Sequence, residues 1–388
     1  MKKHFLLFLL CLATNASLTA QETLRENNGE PTLVERLSNG EIKINSAEMN
    51  FQLFTSANAE FVGKELDGMN FKLNRVRLEI KGDVGKWLGY HYRQSFNKYS
   101  DPYSLDNLSS SLELAYVNLK ARHNLNFTIG KQFVNFGGYE YYVNSIRVRE
   151  FSEFNNLLTA YQAGISGNWQ VNPDHELCFQ IVNNRNGNDE DIYPTGLPEG
   201  TAKAKIPFMY TVNWNSYYLD TLQLRYATAV GQQTRKRYSY YFTCGNTYEK
   251  GPLLTYLDVM YTRQGIDQHG VVSRLPGTPH TAMNTEYLSI IGDVDYRVHP
   301  QWNVYVKGAY ETARVYKSNG DFRKGMYRRS WNAQSSVEFF PFKQLDLFVF
   351  VLYTYRGVIL EKAATRMGAI EPDTHRISLG LVYSIPVF

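Results

Sequence analysis

From about residue 48 to the end of the chain, apolar and polar residues alternate in about sixteen segments of roughly 10 to 14 residues, the first near 48–61 and the last near 375–387. A period of two puts successive side chains on opposite faces of a strand. A tilted strand of about 9 to 11 residues already crosses a bilayer, so every segment is long enough to span one. The connections carry a second, independent regularity. Short turns at 82–85, 122–123, 172–174, 219–220, 249–251, 299–300 and 341–344 alternate with longer loops at 62–69, 98–109, 137–158, 185–207, 265–284, 315–326 and 358–374, a brief link at 234–235 being the exception. Most of the short turns contain Gly, Pro, Asn or Asp, the residues that tight turns demand. Soluble sandwiches have no reason to sort connections by length, whereas outer-membrane barrels have short periplasmic turns and longer extracellular loops. The pattern predicts an all-β fold, a transmembrane antiparallel β-barrel of about 16 strands with both termini periplasmic.

The two faces of the segments differ in chemistry. Near 221–233, Leu222, Leu224, Tyr226 and Val230 oppose Gln223 and Arg225; near 375–387, Ile377, Leu379, Leu381, Tyr383 and Ile385 oppose Arg376, Ser378, Gly380 and Ser384. The apolar face is expected to meet lipid, with Trp87, Trp169, Trp214, Trp302 and Trp331 forming interfacial girdles at segment ends. So many strands enclose more space than side chains can fill, leaving water and inward-folded loops to occupy the lumen. Its wall reads as polar, and its charges include Arg225, Lys307, Arg328, Asp293 and Asp295.

Residues 1–20 run from Lys2 and Lys3 through a short apolar stretch to Ala20, the pattern of a cleaved secretory signal peptide. Residues 21–47 are expected to form a periplasmic arm, too short for a plug domain, and residues 48–388 the barrel. Aromatic residues make up 14% of the chain while its mean hydropathy is −0.39, which leaves no helical span but many rings suited to a membrane interface. The net charge of +4, about +2 without the two leader lysines, gives no reason to expect a nucleic-acid partner. Cys178 and Cys244 form no CxxC pair and are expected to be buried or pore-wall thiols.

Three stretches, FKLNRVRLEIKGDVGKWLGYHYRQSF at 71–96, LELAYVNLKARHNLNFTIGKQFVNFGGYEY from Leu112, and the closing RISLGLVYSIPVF, resemble the phosphate-selective porins O and P. The resemblance implies an outer-membrane barrel, assembled as a homotrimer, with an arginine- and lysine-lined constriction that favours anions. It implies a passive channel for small anionic or polar solutes, held in outer-membrane lipid and needing no cofactor. Two features depart from that pattern. Strict alternation places Phe388 on the face opposite Ile377 and Leu379, and inward carboxylates match many of the basic positions.

The candidate constriction is basic. Arg75 and Arg77 share a face opposite Val76, Leu78 and Ile80, and Arg93 lies on the neighbouring strand of the same hairpin. An arginine facing lipid at mid-membrane costs about 2 to 4 kcal/mol in barrels, which directs this pair to the lumen. The third long loop, FGGYEYYVNSIRVREFSEFNNLL at 136–158, is too aromatic for open water; folded inward, it would bring Arg147 and Arg149 to the constriction. Guanidinium rings suit anion pores because their planar fork matches phosphate and carboxylate oxygens. Against this stand Glu79, Glu150 and Glu153, which would turn the cluster into a structural ion-pair network. Asp293 and Asp295 share one face and read as pore-wall carboxylates balanced by Arg297 rather than as an acid–base pair or Ca²⁺ site. The oxygen-rich NNRNGNDEDIY at 183–193 reads as a solvated loop rather than a cation site. No mature histidine lies in a serine-nucleophile motif, so neither catalytic residues nor metal ligands are assigned. The alternatives are an outer-membrane barrel enzyme and a secreted soluble glycan-binding or adhesive β-protein.

Overall fold

The computed structural model describes residues 44–97, 110–143, 147–185, 192–193, 196–275 and 280–387. The strands are β1 (Ile44–Val62), β2 (Glu65–Val84), β3 (Leu88–Ser95), β4 (Leu112–Arg122), β5 (Leu125–Phe133), β6 (Tyr161–Asn172), β7 (His175–Asn183) and β8 (Phe208–Tyr218), followed by β9 (Leu222–Thr234), β10 (Arg237–Lys250), β11 (Leu253–Ile266), β12 (Met283–His299), β13 (Trp302–Val315), β14 (Gly325–Phe339), β15 (Asp346–Leu360) and β16 (Thr374–Pro386). Each pairs antiparallel with its sequence neighbours, and β1 closes onto β16 in an unshifted register from Asn50↔Pro386 to Val62↔Thr374. Closure matters energetically, because an open sheet edge within hydrocarbon would leave a row of backbone groups without partners. Among the described residues three short helices lie in connections: α1 (Tyr139–Tyr142), α2 (Glu153–Leu157) and α3 (Lys362–Thr365).

The faces separate as the alternation requires. Along β15, Val349, Val351 and Tyr353 are exposed while Phe348, Phe350, Leu352 and Thr354 are buried; along β16, Ile377 and Leu379 are exposed and Ser378 and Val382 buried. The exposed apolar face is the one that lipid covers. Trp87, Trp169 and Trp302 are exposed near short turns, whereas Trp331 is exposed nearer the long-loop end of β14. Cys178 is buried on the inner wall, but Cys244, between the buried Thr243 and Gly245, is exposed on the outer face and is not a pore-wall thiol.

Two expectations shift. The first long loop, expected at 62–69, is sheet instead: β1 and β2 continue to a two-residue turn at Gly63 and Lys64, with Gly63 at φ +57°. Cross-strand contacts hold this extension, Lys72 Nζ to Glu60 Oε1 at 2.6 Å and Asn58 to Asn70 at 3.0 Å. Many residues here are exposed on both faces, so hydrophobic alternation no longer marks the strand. The other shift is at the start of the barrel, where pairing begins at Ile44 rather than Glu48. Phe388 lies outside the described residues.

Topology gives the first prediction. In a Cys244→Ser background, Lys236→Cys and Arg366→Cys, on the long-loop side, are expected to react with a membrane-impermeant maleimide on intact cells, and Asp220→Cys is not. Equal labelling of Asp220→Cys would refute the orientation with both termini periplasmic.

Candidate functional site

The segment joining β5 to β6 is bound to the barrel wall at several of its described residues. At α1, the backbone nitrogens of Tyr139 and Glu140 donate to the two carboxylate oxygens of Asp258 on β11, at 2.9 and 2.8 Å. At α2, the nitrogens of Glu153 and Phe154 donate to Glu311 on β13, at 3.2 and 2.8 Å. Between them Lys307 of β13 holds the Glu140 carboxylate and the Glu150 carbonyl. Glu140, fully buried, also accepts from Ser152 and Asn155, which fixes one helical turn against the other. Two wall carboxylates therefore satisfy helix-terminal donors that would otherwise be orphaned.

Close approach here requires glycine. A Cβ on Gly138 would lie 2.5 Å from the carboxyl carbon of Asp258, and one on Gly245 would lie 3.0 Å from the Tyr139 nitrogen. Gly138→Val is accordingly expected to push α1 off β11 and speed tryptic cleavage at Arg147 and Arg149 in detergent-solubilised protein. Cleavage at the wild-type rate would show that the contact does not anchor the segment.

The wall beneath this segment departs from the polar lining expected from the sequence. Phe136 stacks on Tyr241 with ring centroids 4.7 Å apart, and Tyr139 lies 5.5 Å from Tyr256. Phe154, Leu158 and Tyr141 join Met209, Ala229 and Met260 in the same cluster. A second apolar patch, Phe54, Phe348, Phe350, Leu352 and Val382, lies on β1, β15 and β16. Aromatic side chains bury roughly 150–250 Å² each, so this packing is a large part of what holds the segment.

The arginines fall into separate networks. Arg77 and Arg93 converge on Glu113, fully buried on β4, at 2.8 and 2.9 Å. Glu113 also accepts from Ser95 at 2.8 Å, and Glu79 lies 3.8 Å from Arg93. Arg75 stands beside this group with its guanidinium 5.9 Å from the Phe54 ring. Arg149 is elsewhere, ion-paired with Glu338 of β14 and stacked 4.7 Å over Phe348. Arg147 is exposed.

Of the remaining lumen charges, Arg328 binds Glu371 at 2.7 Å and Glu153 at 2.6 Å. Arg356, at 2.8 Å, joins both of those carboxylates, and Arg376 pairs with Glu150. Asp293 is buried opposite Lys307 in the β12–β13 register, and Asp295 is partly exposed. Arg225 stacks on the Tyr142 ring.

The sequence reading passed over Glu113, Glu140 and Glu371. Glu113 was detectable by parity, as the acidic residue between apolar neighbours Leu112 and Leu114; Glu140 and Glu371 sit in connections, where no period exists.

Near the outer end of the same segment, Asp267 accepts from Ser273 Oγ at 2.7 Å and from Tyr287. His269 lies among the rings of Phe154 and Tyr287, each at 5.1 Å, and burial pulls its pKa down to about 4, so it is neutral at physiological pH. Ser273 is thus bonded to the carboxylate and not to the imidazole. The stretch at 183–193 falls mostly outside the described residues.

A closed sixteen-stranded transmembrane barrel with charged groups along its inner wall defines a porin-type outer-membrane channel. The model of the phosphate-selective porin O and P family matches residues 46–385, and the chain belongs to that family. Comparison with curated protein sequences gives no significant match. Among solved structures, the outer membrane channel DcaP of Acinetobacter baumannii superposes with a TM-score of 0.61 at 13% identity, over 88% of this chain and 97% of that one. An anion-selective porin from Comamonas acidovorans gives 0.57 at 10% identity, over 88% and 99%. A trimer form of OmpT from Vibrio cholerae gives 0.53 at 11% identity, again over 88% and 99%.

Proposed function

We propose that this porin is a passive, anion-preferring channel for small hydrophilic solutes, phosphate among them, whose narrowest part is formed by the β5–β6 segment folded into the lumen. The observation that carries the constriction is the set of bonds from Tyr139, Glu140, Glu153 and Phe154 to Asp258 and Glu311, which lie on the buried face of β11 and β13. Arg147 and Arg149 on the segment, with Arg75, Arg77 and Arg93 on the wall, are the basic groups a permeating anion would meet. Their neutralisation by Glu79, Glu113 and Glu338 makes the preference modest rather than absolute. Family membership supports the homotrimer, as does the trimer form of the OmpT neighbour. Removal of residues 1–20 during export completes the reading, with the mature chain in outer-membrane lipid.

The test is a planar bilayer with purified protein and no energy source. Stepwise, roughly ohmic current is expected, with a reversal potential under a KCl gradient on the chloride side. An electrically silent barrel refutes the channel, and a cation-side reversal potential refutes the anion preference.

A further inference from the structure

A cavity of about 320 Å³ opens where the β5–β6 segment faces the short-turn ends of β8 and β9. Among the described residues its lining holds two guanidiniums, Arg147 and Arg225, and no carboxylate, Glu176 standing behind the wall and accepting from Asn215 Nδ2 at 2.8 Å. This sets it apart from the rest of the interior, where Arg77, Arg93, Arg149 and Arg328 are each held by Glu. Arg225 is fixed in place: its guanidinium carbon lies 3.1 Å from the centroid of the Tyr142 ring, and Nη1 donates to Asn215 Oδ1 at 3.1 Å. The other walls are the tyrosine rings, the amides of Asn215 and Gln223, and the aliphatic side chains of Val143 and Leu224. Tyr217 is 43% exposed, leaving its ring open to a ligand, and Tyr139 and Gln223 complete the lining.

We propose that this pocket is a binding subsite for small organic anions that carry a flat ring, aromatic monocarboxylates being the simplest class. Two arginines without a carboxylate neighbour in the pocket supply a charge-assisted fork for a carboxylate. Tyrosine rings around them reward a planar ring over a fully hydrated ion. The volume lies at the low end of the roughly 300–1,000 Å³ range of small-molecule pockets, and an inorganic oxyanion would fill little of it. The inference rests on the channel reading above and assigns that channel a preferred class of solute.

The experiment uses the full-length porin in planar bilayers in KCl, with sodium benzoate, sodium acetate or sodium phosphate added in turn, and reads the concentration that halves the open-channel current. Benzoate is expected to block at a concentration roughly three- to tenfold lower than acetate, the range that one favourable ring–ring contact provides. Tyr217→Ala is expected to erase that difference and Tyr217→Phe to keep it. Arg225→Gln is expected to weaken both carboxylates. Equal block by acetate and benzoate in the wild-type channel, stronger block by phosphate than by benzoate, or a benzoate preference that survives Tyr217→Ala and Arg225→Gln would each overturn the subsite. Current before any addition is recorded in every trace. Its absence counts against the channel itself, whereas current without a ring preference counts against the subsite alone.

Discussion

Lys307→Met is expected to release the β5–β6 segment from the wall, giving a larger and noisier single-channel current than the wild-type channel. Lys307 is almost fully buried and is the only ion-pair partner of Glu140 among the described residues. Its ammonium also holds the Glu150 carbonyl, so one side chain ties both ends of the arginine-bearing stretch. Removing one partner of a buried pair costs about 3–5 kcal/mol, because the other charge is left uncompensated. At about 1.4 kcal/mol per decade, the balance between anchored and released segment shifts by roughly a hundredfold or more. The barrel itself is expected to stay closed, since its strands pair through backbone hydrogen bonds, Lys307's own included, that the substitution leaves in place. The double variant Lys307→Met, Glu140→Gln is expected to recover much of the wild-type trace, because the two charges are then removed together. A single variant with wild-type conductance and noise would mean that the bonds to Asp258 and Glu311 and the packing on Tyr241 and Tyr256 hold the segment without Lys307.

The fold was legible because a membrane imposes two requirements at once on every strand. An outward residue such as Leu379 or Val351 must be apolar, and an inward one such as Ser378 or Lys307 need not be, so a period of two survives along the whole chain. Where either requirement lapses, the pattern lapses too. The β1–β2 extension at residues 62–69 is largely exposed on both sides, so the alternation there reads as a loop. Met209, Tyr241, Tyr256 and Met260 pack in one cluster with Phe136, Tyr141, Phe154 and Leu158 of the third connection, and a two-residue period does not mark apolar residues on that face. The arginines of the candidate site were found for the same reason that strands were, since Arg75, Arg77 and Arg93 can be placed cheaply only on the inner face. Their partners were harder to find. Glu371 reaches Arg328 from the β15–β16 connection and Glu140 reaches Lys307 from the β5–β6 connection, contacts set by tertiary packing with no local signature.

Selectivity is expected to respond to Glu113, the partner that Arg77 and Arg93 share. In the β2–β4 cluster Arg77 and Arg93 share Glu113, Arg93 also lies near Glu79, and Arg75 stands beside them. Glu113→Gln removes one negative charge without changing the side chain's shape, and the amide can still accept from Ser95. Unit charges about 4 Å apart interact by about 1 kcal/mol even at the dielectric of water, so a passing anion should gain at least that much. The anion-to-cation permeability ratio is therefore expected to rise about fivefold, moving the reversal potential further to the chloride side. Arg77→Gln is expected to move it the other way, because one positive charge is then removed. The Debye length shrinks from about 10 Å at 0.1 M salt to about 3 Å at 1 M, so both shifts should fade as the bath is concentrated. A heat-modifiable band on an unheated gel checks that each variant has folded. If folded Glu113→Gln keeps the wild-type permeability ratio at 0.1 M salt, ions do not pass this cluster closely enough to sense it. The groups that set selectivity must then lie on the third connection, with Arg147 the first to replace.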